Sequence, residues 1–287
     1  ARSSPERHVR PPLPQDSELV GLFPKGVPMS LRLIVSPAKK MRAQDAPPWP
    51  VRAPALLGRA ERLVRAVQRL SRDEAQRLWN CSDRLADLNY ERFRTMDLGR
   101  DTTAAAVAYE GIQYTHLAAG VMDEGELAWL DEHLRILSGL YGVLRPLDGV
   151  VPYRLEMQAR LAVDGARDLY GFWGGALYET LAAEGCDVIV NVASAEYARA
   201  VTPWVRPDGP QVTTCIFGVL RDGRLCQPAT EAKAARGTFA RWCAEQGVET
   251  IDELPDFHER GYRLSVERSS DDSLVFVRSV QNPSSCD

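Results

Sequence analysis

Leu31-Arg-Leu-Ile-Val35, followed directly by Ser36-Pro-Ala-Lys39-Lys40, is the stretch that sets the fold class. Its first part is a short apolar run of the length of a β-strand, and Pro37 ends it. A second run, Asp187-Val-Ile-Val-Asn-Val192, is almost entirely apolar. Such continuous hydrophobicity is typical of a strand that is covered on both faces. The two runs predict an α/β protein, with a central mixed sheet between helices.

Helical patterns separate these strands. Ser71-Arg-Asp-Glu74 and Asp123-Glu-Gly-Glu126 are capping boxes that begin helices, and Gly139 is a plausible C-terminal cap. The predicted helices cover 55–70, a segment from Ser71, 82–93, 123 to about 137, 174–184 and 230–246. Two β-hairpins are predicted, one joining 211–220 to 225–226 around Asp-Gly, the other joining 262–268 to 273–280. We expect a disordered leader at 1–29, one mixed α/β domain at 30–280 and a disordered tail at 281–287.

Composition limits the function classes. The formal net charge is −4, so any binding of a polyanion needs a local cationic patch. The six cysteines and four histidines show no metal-ligand spacing, so we expect no metal and no cofactor. A signal peptide and an apolar run long enough to span a bilayer are both missing from the pattern. We therefore expect a cytoplasmic protein without a membrane partner.

Lysine is scarce, with 4 Lys against 31 Arg. Lys39 and Lys40 follow the first strand, and Lys233 lies in an alanine-rich helix. Lysine can lose its proton when it is buried, whereas arginine stays charged. The retained lysines therefore mark candidate functional positions, although chance retention on the surface is an equal alternative.

Two candidate sites follow the predicted strands. Ser36, Lys39 and Lys40 come directly after the first, and Asn191 and Ser194 end or follow the second. Ligands of open α/β sheets bind at the carboxyl ends of the strands, so parallel strands would bring both sets together. Ser194 could equally be only a helix N-cap.

A third candidate lies on the helix at 230–246. Lys233 and Arg236 are i, i+3 neighbours on one face, with small residues around them that would let a phosphate approach. The alternative is a solvated basic stripe on a surface helix.

The fourth candidate is Leu137-Ser-Gly139-Leu-Tyr-Gly142-Val-Leu-Arg145-Pro-Leu-Asp148. A helix that ends in spaced glycines is similar to a helix-hairpin-helix, in which backbone amides bind DNA phosphates. Pro146 would restrict a second helix, and a plain glycine-capped helix explains the local pattern as well.

Together these segments resemble the YaaA family of peroxide stress proteins, in collinear order over about residues 31–280. The matching motifs are Ser36–Lys39, Asp83–Asn89 with Arg92 and Phe93, Tyr109–Gly111 with Tyr114, Leu137–Asp148, Pro152–Met157, Asp168–Tyr170 with Phe172 and Trp173, Asn191–Tyr197, and Ala232–Gly237.

The resemblance implies a single mixed α/β domain with a positively charged cleft and a helix-hairpin-helix-like element. It also implies binding of double-stranded DNA, and protection from hydrogen peroxide by limiting free intracellular iron and DNA damage. Carried onto this chain, the cations of the cleft would be Lys39, Lys40, Arg145, Arg154, Lys233 and Arg236.

Two functions stay open. The favoured one is a DNA-binding stress protein that uses phosphate contacts from Ser36, Gly139, Gly142, Asn191, Ser194 and these cations. The alternative is an enzyme of a specialised pathway that acts on a small anionic, nucleotide- or nucleobase-like substrate. In that case a desolvated Lys39 or Lys233 would be base or nucleophile, and Glu156, Glu196 or Tyr197 would share the proton transfer.

Overall fold

The protein is described from a computed structural model that covers residues 29–43, 49–221 and 223–279. The predicted leader, apart from Met29, and the predicted tail lie outside these residues. The α-helices are α1 (Leu57–Gln68), α2 (Arg72–Trp79), α3 (Asp83–Arg94), α4 (Ala105–Ala108), α5 (Ile112–Leu117), α6 (Glu124–His133), α7 (Leu169–Trp173), α8 (Ala176–Ala182), α9 (Ala195–Ala198) and α10 (Ala229–Gln246). Short 3-10 helices cover Ala119–Val121, Thr202–Trp204, Ile251–Asp256, Glu259–Gly261 and Val266–Arg268.

The strands form one large sheet and two small ones. They are β1 (Leu31–Val35), β2 (Lys40–Met41), β3 (Thr103–Ala104), β4 (Tyr109–Glu110), β5 (Leu134–Ser138), β6 (Gly142–Leu144), β7 (Gly149–Val150), β8 (Val188–Asn191), β9 (Gln211–Arg221), β10 (Arg224–Cys226), β11 (Arg263–Leu264) and β12 (Ser273–Ser279). The large sheet has eight strands in the order β11-β12-β9-β8-β1-β5-β6, with β10 beside β9. Strands β12, β9, β8, β1 and β5 are parallel, whereas β6, β10 and β11 pair antiparallel. The predicted central mixed sheet is confirmed.

The centre of the sheet is buried because its strands are apolar throughout. In β1 the side chains of Leu31, Leu33 and Ile34 are fully buried. Leu33 pairs with Leu134 of β5 on one side and Val190 of β8 on the other. Because all three strands run the same way, their carboxyl ends lie at one edge, which we call the carboxyl edge.

Local signals placed several elements correctly. Both capping boxes are present, with Ser71 and Glu74 opening α2 and Asp123 and Glu126 opening α6. The hairpin of β9 and β10 and the hairpin of β11 and β12 both form, although β11 is only two residues long. Gly247 ends α10 with a φ of 63°, the left-handed conformation that glycine adopts without strain.

The predicted helix from Asp123 to about Leu137 is wrong in its last four residues. The helix ends at His133, and the next five residues form β5. β5 pairs with β6 as an antiparallel β-hairpin, Leu137 opposite Val143 and Ser138 opposite Gly142. The helix-hairpin-helix-like element is therefore a β-hairpin. Pairing of β5 with the buried strand β1, which sequence periodicity does not report, decides the conformation.

Gly237 sets the distance between α10 and α5. A Cβ at this position would overlap the backbone carbonyl of Gln113 and press on the Cβ of His116. Only a residue without a side chain permits this approach. Since α5 also contacts β1 through Gln113, the glycine fixes α10 against the carboxyl edge.

We predict that Gly237→Ala lowers the free energy of unfolding by about 1–3 kcal/mol, because overpacking forces α5 and α10 apart. Chemical denaturation measures this change. Gly58→Ala is the matched control: it lies in α1 with no atom within 4 Å of the added Cβ. The control should gain about 0.5–1 kcal/mol, as expected for glycine replacement inside a helix. Equal effects in the two variants would contradict the close contact.

Candidate functional site

Ser36 holds three elements together at the carboxyl edge. Its hydroxyl accepts a hydrogen bond from the backbone N–H of Ser194 at 2.8 Å and lies 3.1 Å from the Ser194 hydroxyl. Its carbonyl accepts hydrogen bonds from Gln113 Nε2 and from the Tyr114 hydroxyl, each at 3.0 Å. The structure thus places Ser36 and Ser194 side by side. Their polar atoms are used to join β1 to α9 and α5.

Asn191 lies at the same edge, and its side chain forms hydrogen bonds within the protein. Its amide nitrogen donates to the Thr214 hydroxyl at 3.2 Å, and its amide oxygen accepts from the Ala193 N–H at 2.9 Å. Asn191 is buried. These hydrogen bonds fix the turn between β8 and α9, so the Asn191 side chain stabilises the backbone of the site and is not free to bind a ligand.

Lys39 is part of an ion cluster. Its Nζ lies 2.7 Å from one carboxylate oxygen of Glu156, and Arg154 Nη2 lies 2.9 Å from the other. Glu156 thus accepts from two cations. The Lys39 side chain is 64% exposed, so the expectation of a desolvated ammonium at this position is not met. Lys233 is exposed as well.

Glu196 is a second carboxylate beside this cluster. The backbone N–H of Gln158 donates to its Oε1 at 3.3 Å. Burial, together with the charge of Glu156, raises the pKa of Glu196, while Lys39 and the hydrogen bond oppose the shift. Two carboxylates with different environments, next to an ammonium, can hold and exchange a proton.

A chain of buried hydroxyls lies beneath the carboxylates. The Tyr153 hydroxyl lies 2.8 Å from the Tyr109 hydroxyl and 2.6 Å from the Ser138 hydroxyl. Burial raises the pKa of Tyr153 to about 12, and burial also raises the pKa of Tyr197. These phenols are therefore neutral hydrogen-bond donors near neutral pH. Tyr197 has a predicted role in proton transfer, whereas Tyr109 and Tyr153 lie in the family motifs without a predicted role, since no spacing links segments so far apart.

A cleft opens above Lys39 and Glu156. Its volume is about 910 Å³, and it lies between α1 and α2 on one side and residues 156–162 on the other. Sequence reasoning did not connect α1 and α2 with the site. The charged side chains that line it are Lys39, Arg69, Arg77, Arg160, Glu74 and Glu156.

Other predicted cations lie elsewhere. Lys40 is 79% exposed and pairs with Glu110 at 2.9 Å, between β2 and β4. Arg145 lies 3.9 Å from Glu184, a carboxylate that Arg135 also binds at 2.8 Å. Because β6 runs antiparallel to β5, Arg145 is at the edge where the parallel strands begin. The structure therefore does not bring Arg145 to the cleft.

Gly139 and Gly142 do not face a ligand. Both are buried, and a Cβ at Gly139 would overlap the Leu155 carbonyl oxygen. Gly142 has a φ of 79°, and a Cβ there would lie 2.9 Å from the Trp173 ring. These glycines permit tight packing of the β-hairpin, which corrects the prediction that they present amides to phosphates.

Arg236, on α10, is a cation that is largely removed from solvent. Burial lowers the pKa of its guanidinium, and its Nε is buried without a hydrogen-bond partner in the described chain. Among the described residues, neither Arg236 nor Lys233 forms a salt bridge or a side-chain hydrogen bond. α10 carries both residues in its first two turns.

Metal-ligating side chains are dispersed in the part of the chain that the structure describes, where no three His, Cys, Asp or Glu residues come together. The same residues contain no helix that is both long and apolar enough to cross a bilayer.

Comparison with known proteins places this architecture in a family. A family model described as peroxide stress protein YaaA matches residues 31–268. The chain is 43% identical over 248 residues to a UPF0246 protein of Pediococcus pentosaceus, covering 86% of this chain and 98% of the relative. It is 40% identical over 250 residues to a UPF0246 protein of Desulfitobacterium hafniense, covering 87% and 99%.

The mixed sheet with its polar carboxyl edge makes this chain an α/β protein. The chain belongs to the YaaA family of peroxide stress proteins. The two relatives named above are UPF0246 proteins.

We predict that Glu196→Gln flattens the pH dependence of stability. A raised folded-state pKa means that the folded protein holds this proton at pH values where the unfolded chain has released it. The contribution of the Glu196 carboxyl to the free energy of unfolding therefore falls as pH rises. The fall begins near the pKa of the unfolded chain, about 4.3, and continues through the pKa of the folded protein. Glutamine keeps an acceptor for the Gln158 N–H but does not titrate, so the variant should be the more stable protein at pH 7.

Urea denaturation of both proteins from acid to neutral pH measures this effect. Glu91→Gln, at an exposed position of α3, is the control and should leave the pH profile of the parent unchanged. A Glu196→Gln profile parallel to that of the parent would contradict the raised pKa.

Proposed function

We propose that this protein acts in the cytoplasm in the response to hydrogen peroxide, where it binds double-stranded DNA through phosphate contacts. In this role it limits DNA damage and the level of free iron. Membership of a family that is described by peroxide stress supports the physiological part. The cationic lining of the cleft supports the binding part.

The observation that carries the binding proposal is the excess of cations at the cleft. Lys39, Arg69, Arg77 and Arg160 line it against the two carboxylates Glu74 and Glu156. Lys233 and Arg236 add positive charge on α10. Neither residue forms a salt bridge within the described chain. A protein with net charge −4 needs such a concentration of cations to bind a polyanion.

This proposal predicts salt-sensitive and sequence-tolerant binding of a DNA duplex. Fluorescence anisotropy across a salt series should give a linear fall of the logarithm of the binding constant with the logarithm of salt concentration. Lys233→Ala should reduce the slope by about 1 if it removes one phosphate contact. Arg94→Ala, in an exposed pair with Glu91 on α3, is the control and should keep the slope. Undetectable duplex binding at low salt would refute the proposal.

A second candidate is an enzyme that acts on a small anionic, nucleotide- or nucleobase-like substrate. The observation that favours it is the cluster of Lys39, Glu156 and Glu196, in which the ammonium pairs with Glu156 and acts through its charge on Glu196, whose pKa burial raises. Duplex binding alone requires no such arrangement. In this function Lys39 positions or activates the substrate, and Glu196 exchanges the proton.

Lys39→Arg separates the two functions. Binding of DNA by charge should survive with at most a few-fold loss, because arginine also contacts phosphate. Turnover that uses the ammonium should disappear, because guanidinium neither titrates nor fits the same space. Mass spectrometry of nucleotide mixtures incubated with the protein detects turnover. Product formation that persists in Lys39→Arg would exclude a chemical role for this lysine.

A further inference from the structure

Three arginines of the cleft make no hydrogen bond through their side chains within the described chain. Arg69 ends α1, Arg77 lies in the last turn of α2, and Arg160 lies in the facing segment. Throughout the described chain, none of the three forms a salt bridge or a side-chain hydrogen bond. By contrast, Arg72 on the same helix α2 binds Asp83 and Asp87. Glu74, near Arg77, and Glu156 also line the cleft, but neither forms a hydrogen bond with these three arginines. Guanidinium groups with free donors are suited to bidentate binding of phosphate.

Two buried donors, one in the wall of the cleft at Trp79 and one beside it at Arg154, also lack acceptors in the described chain. Trp79 lines the cleft and is 3% exposed, with its ring stacked on Phe93 at 5.7 Å. Its indole Nε1 is buried without a hydrogen-bond partner among the described residues. The same holds for Nε of Arg154, whose Nη2 lies 3.4 Å from the Trp79 carbonyl oxygen. Buried N–H groups are normally satisfied, so the wall is short of acceptor atoms.

The size and the charge of the cleft limit the class of ligand that it can bind. A volume of about 910 Å³ lies within the range of about 300–1,000 Å³ that encloses small molecules. A continuous duplex is far larger and can only cross the mouth of such a cleft. The lining has four cations and two carboxylates, an excess of two positive charges. A phosphate monoester carries a charge of about −1.5 to −2 at pH 7, whereas an internal phosphodiester carries a single charge.

We propose that the cleft between α1–α2 and residues 156–162 is a binding site for a phosphate monoester. The group belongs either to a free mononucleotide or to the 5′ end of a DNA strand. In the second case the inference rests on the proposed DNA-binding function. Arg69, Arg77 and Arg160 bind the phosphate.

The test compares matched ligands that differ in one terminal phosphate. Fluorescence anisotropy measures binding of a short single strand, labelled at its 3′ end, with either a 5′-phosphate or a 5′-hydroxyl. Calorimetry measures binding of deoxyadenosine monophosphate and of deoxyadenosine. The terminal phosphate should increase affinity by about tenfold or more, the effect of one charge-assisted hydrogen bond.

Arg77→Gln and Arg160→Gln should each remove most of this preference. Arg94→Gln, with the same charge change outside the cleft, should keep it. Circular dichroism and thermal unfolding confirm that each variant is folded. Because two separate variants on opposite walls are used, misfolding of one leaves the other as a test.

Each outcome decides the inference. A 5′-phosphate preference with or without nucleotide binding supports it and identifies a DNA end as a source. Binding of the monophosphate alone, with no binding of any strand, supports the cleft site and identifies a free mononucleotide as the source. Equal affinity for both strands and no binding of the monophosphate overturns the inference and leaves DNA binding intact. Binding of none of these ligands overturns the inference, and the duplex titration described above tests the DNA function separately.

Discussion

The hydrogen bonds of Ser36 are the constraint on which the candidate site depends. Its hydroxyl binds the turn that leads into α9, and its carbonyl accepts from two side chains of α5. Ser36 directly follows the central strand β1, so one residue connects the middle of the sheet with two separate helices. Lys39 lies three residues after Ser36 in the segment that follows the sheet. Its position opposite Glu156 follows from this anchoring.

The site combines an ion cluster with cations that form no salt bridge in the described chain. Glu156 accepts from Lys39 and Arg154, so these two cations and one carboxylate carry a formal charge of +1. Arginines of α1, α2 and the segment that faces them add to the positive character of the cleft. The scarcity of lysine drew attention to Lys39, yet this ammonium is exposed. The desolvated cation of the carboxyl edge is Arg236, a residue that cannot give up its proton.

Local sequence signals predicted the elements that depend on local interactions. The capping boxes at Ser71 and Asp123 form because each needs only side chains three residues apart. The parallel strands β1 and β8 were predictable from continuous apolar runs. The segment 134–138 was not, because its residues suit a helix or a buried strand. Pairing with β1 decides between them, and pairing is a property of the assembled sheet.

The sequence by itself determined the fold class, the family and the identity of Ser36, Lys39, Glu156 and Glu196 as candidate residues, because strand ends and motif residues are written locally. Tertiary structure decided which of the candidates meet. It moved Arg145 to the opposite edge of the sheet, buried Gly139 and Gly142 in a β-hairpin, and brought Arg69, Arg77 and Trp79 to the cleft. The physical reason is that strand order and helix packing join segments far apart in the chain, and no residue spacing records those contacts.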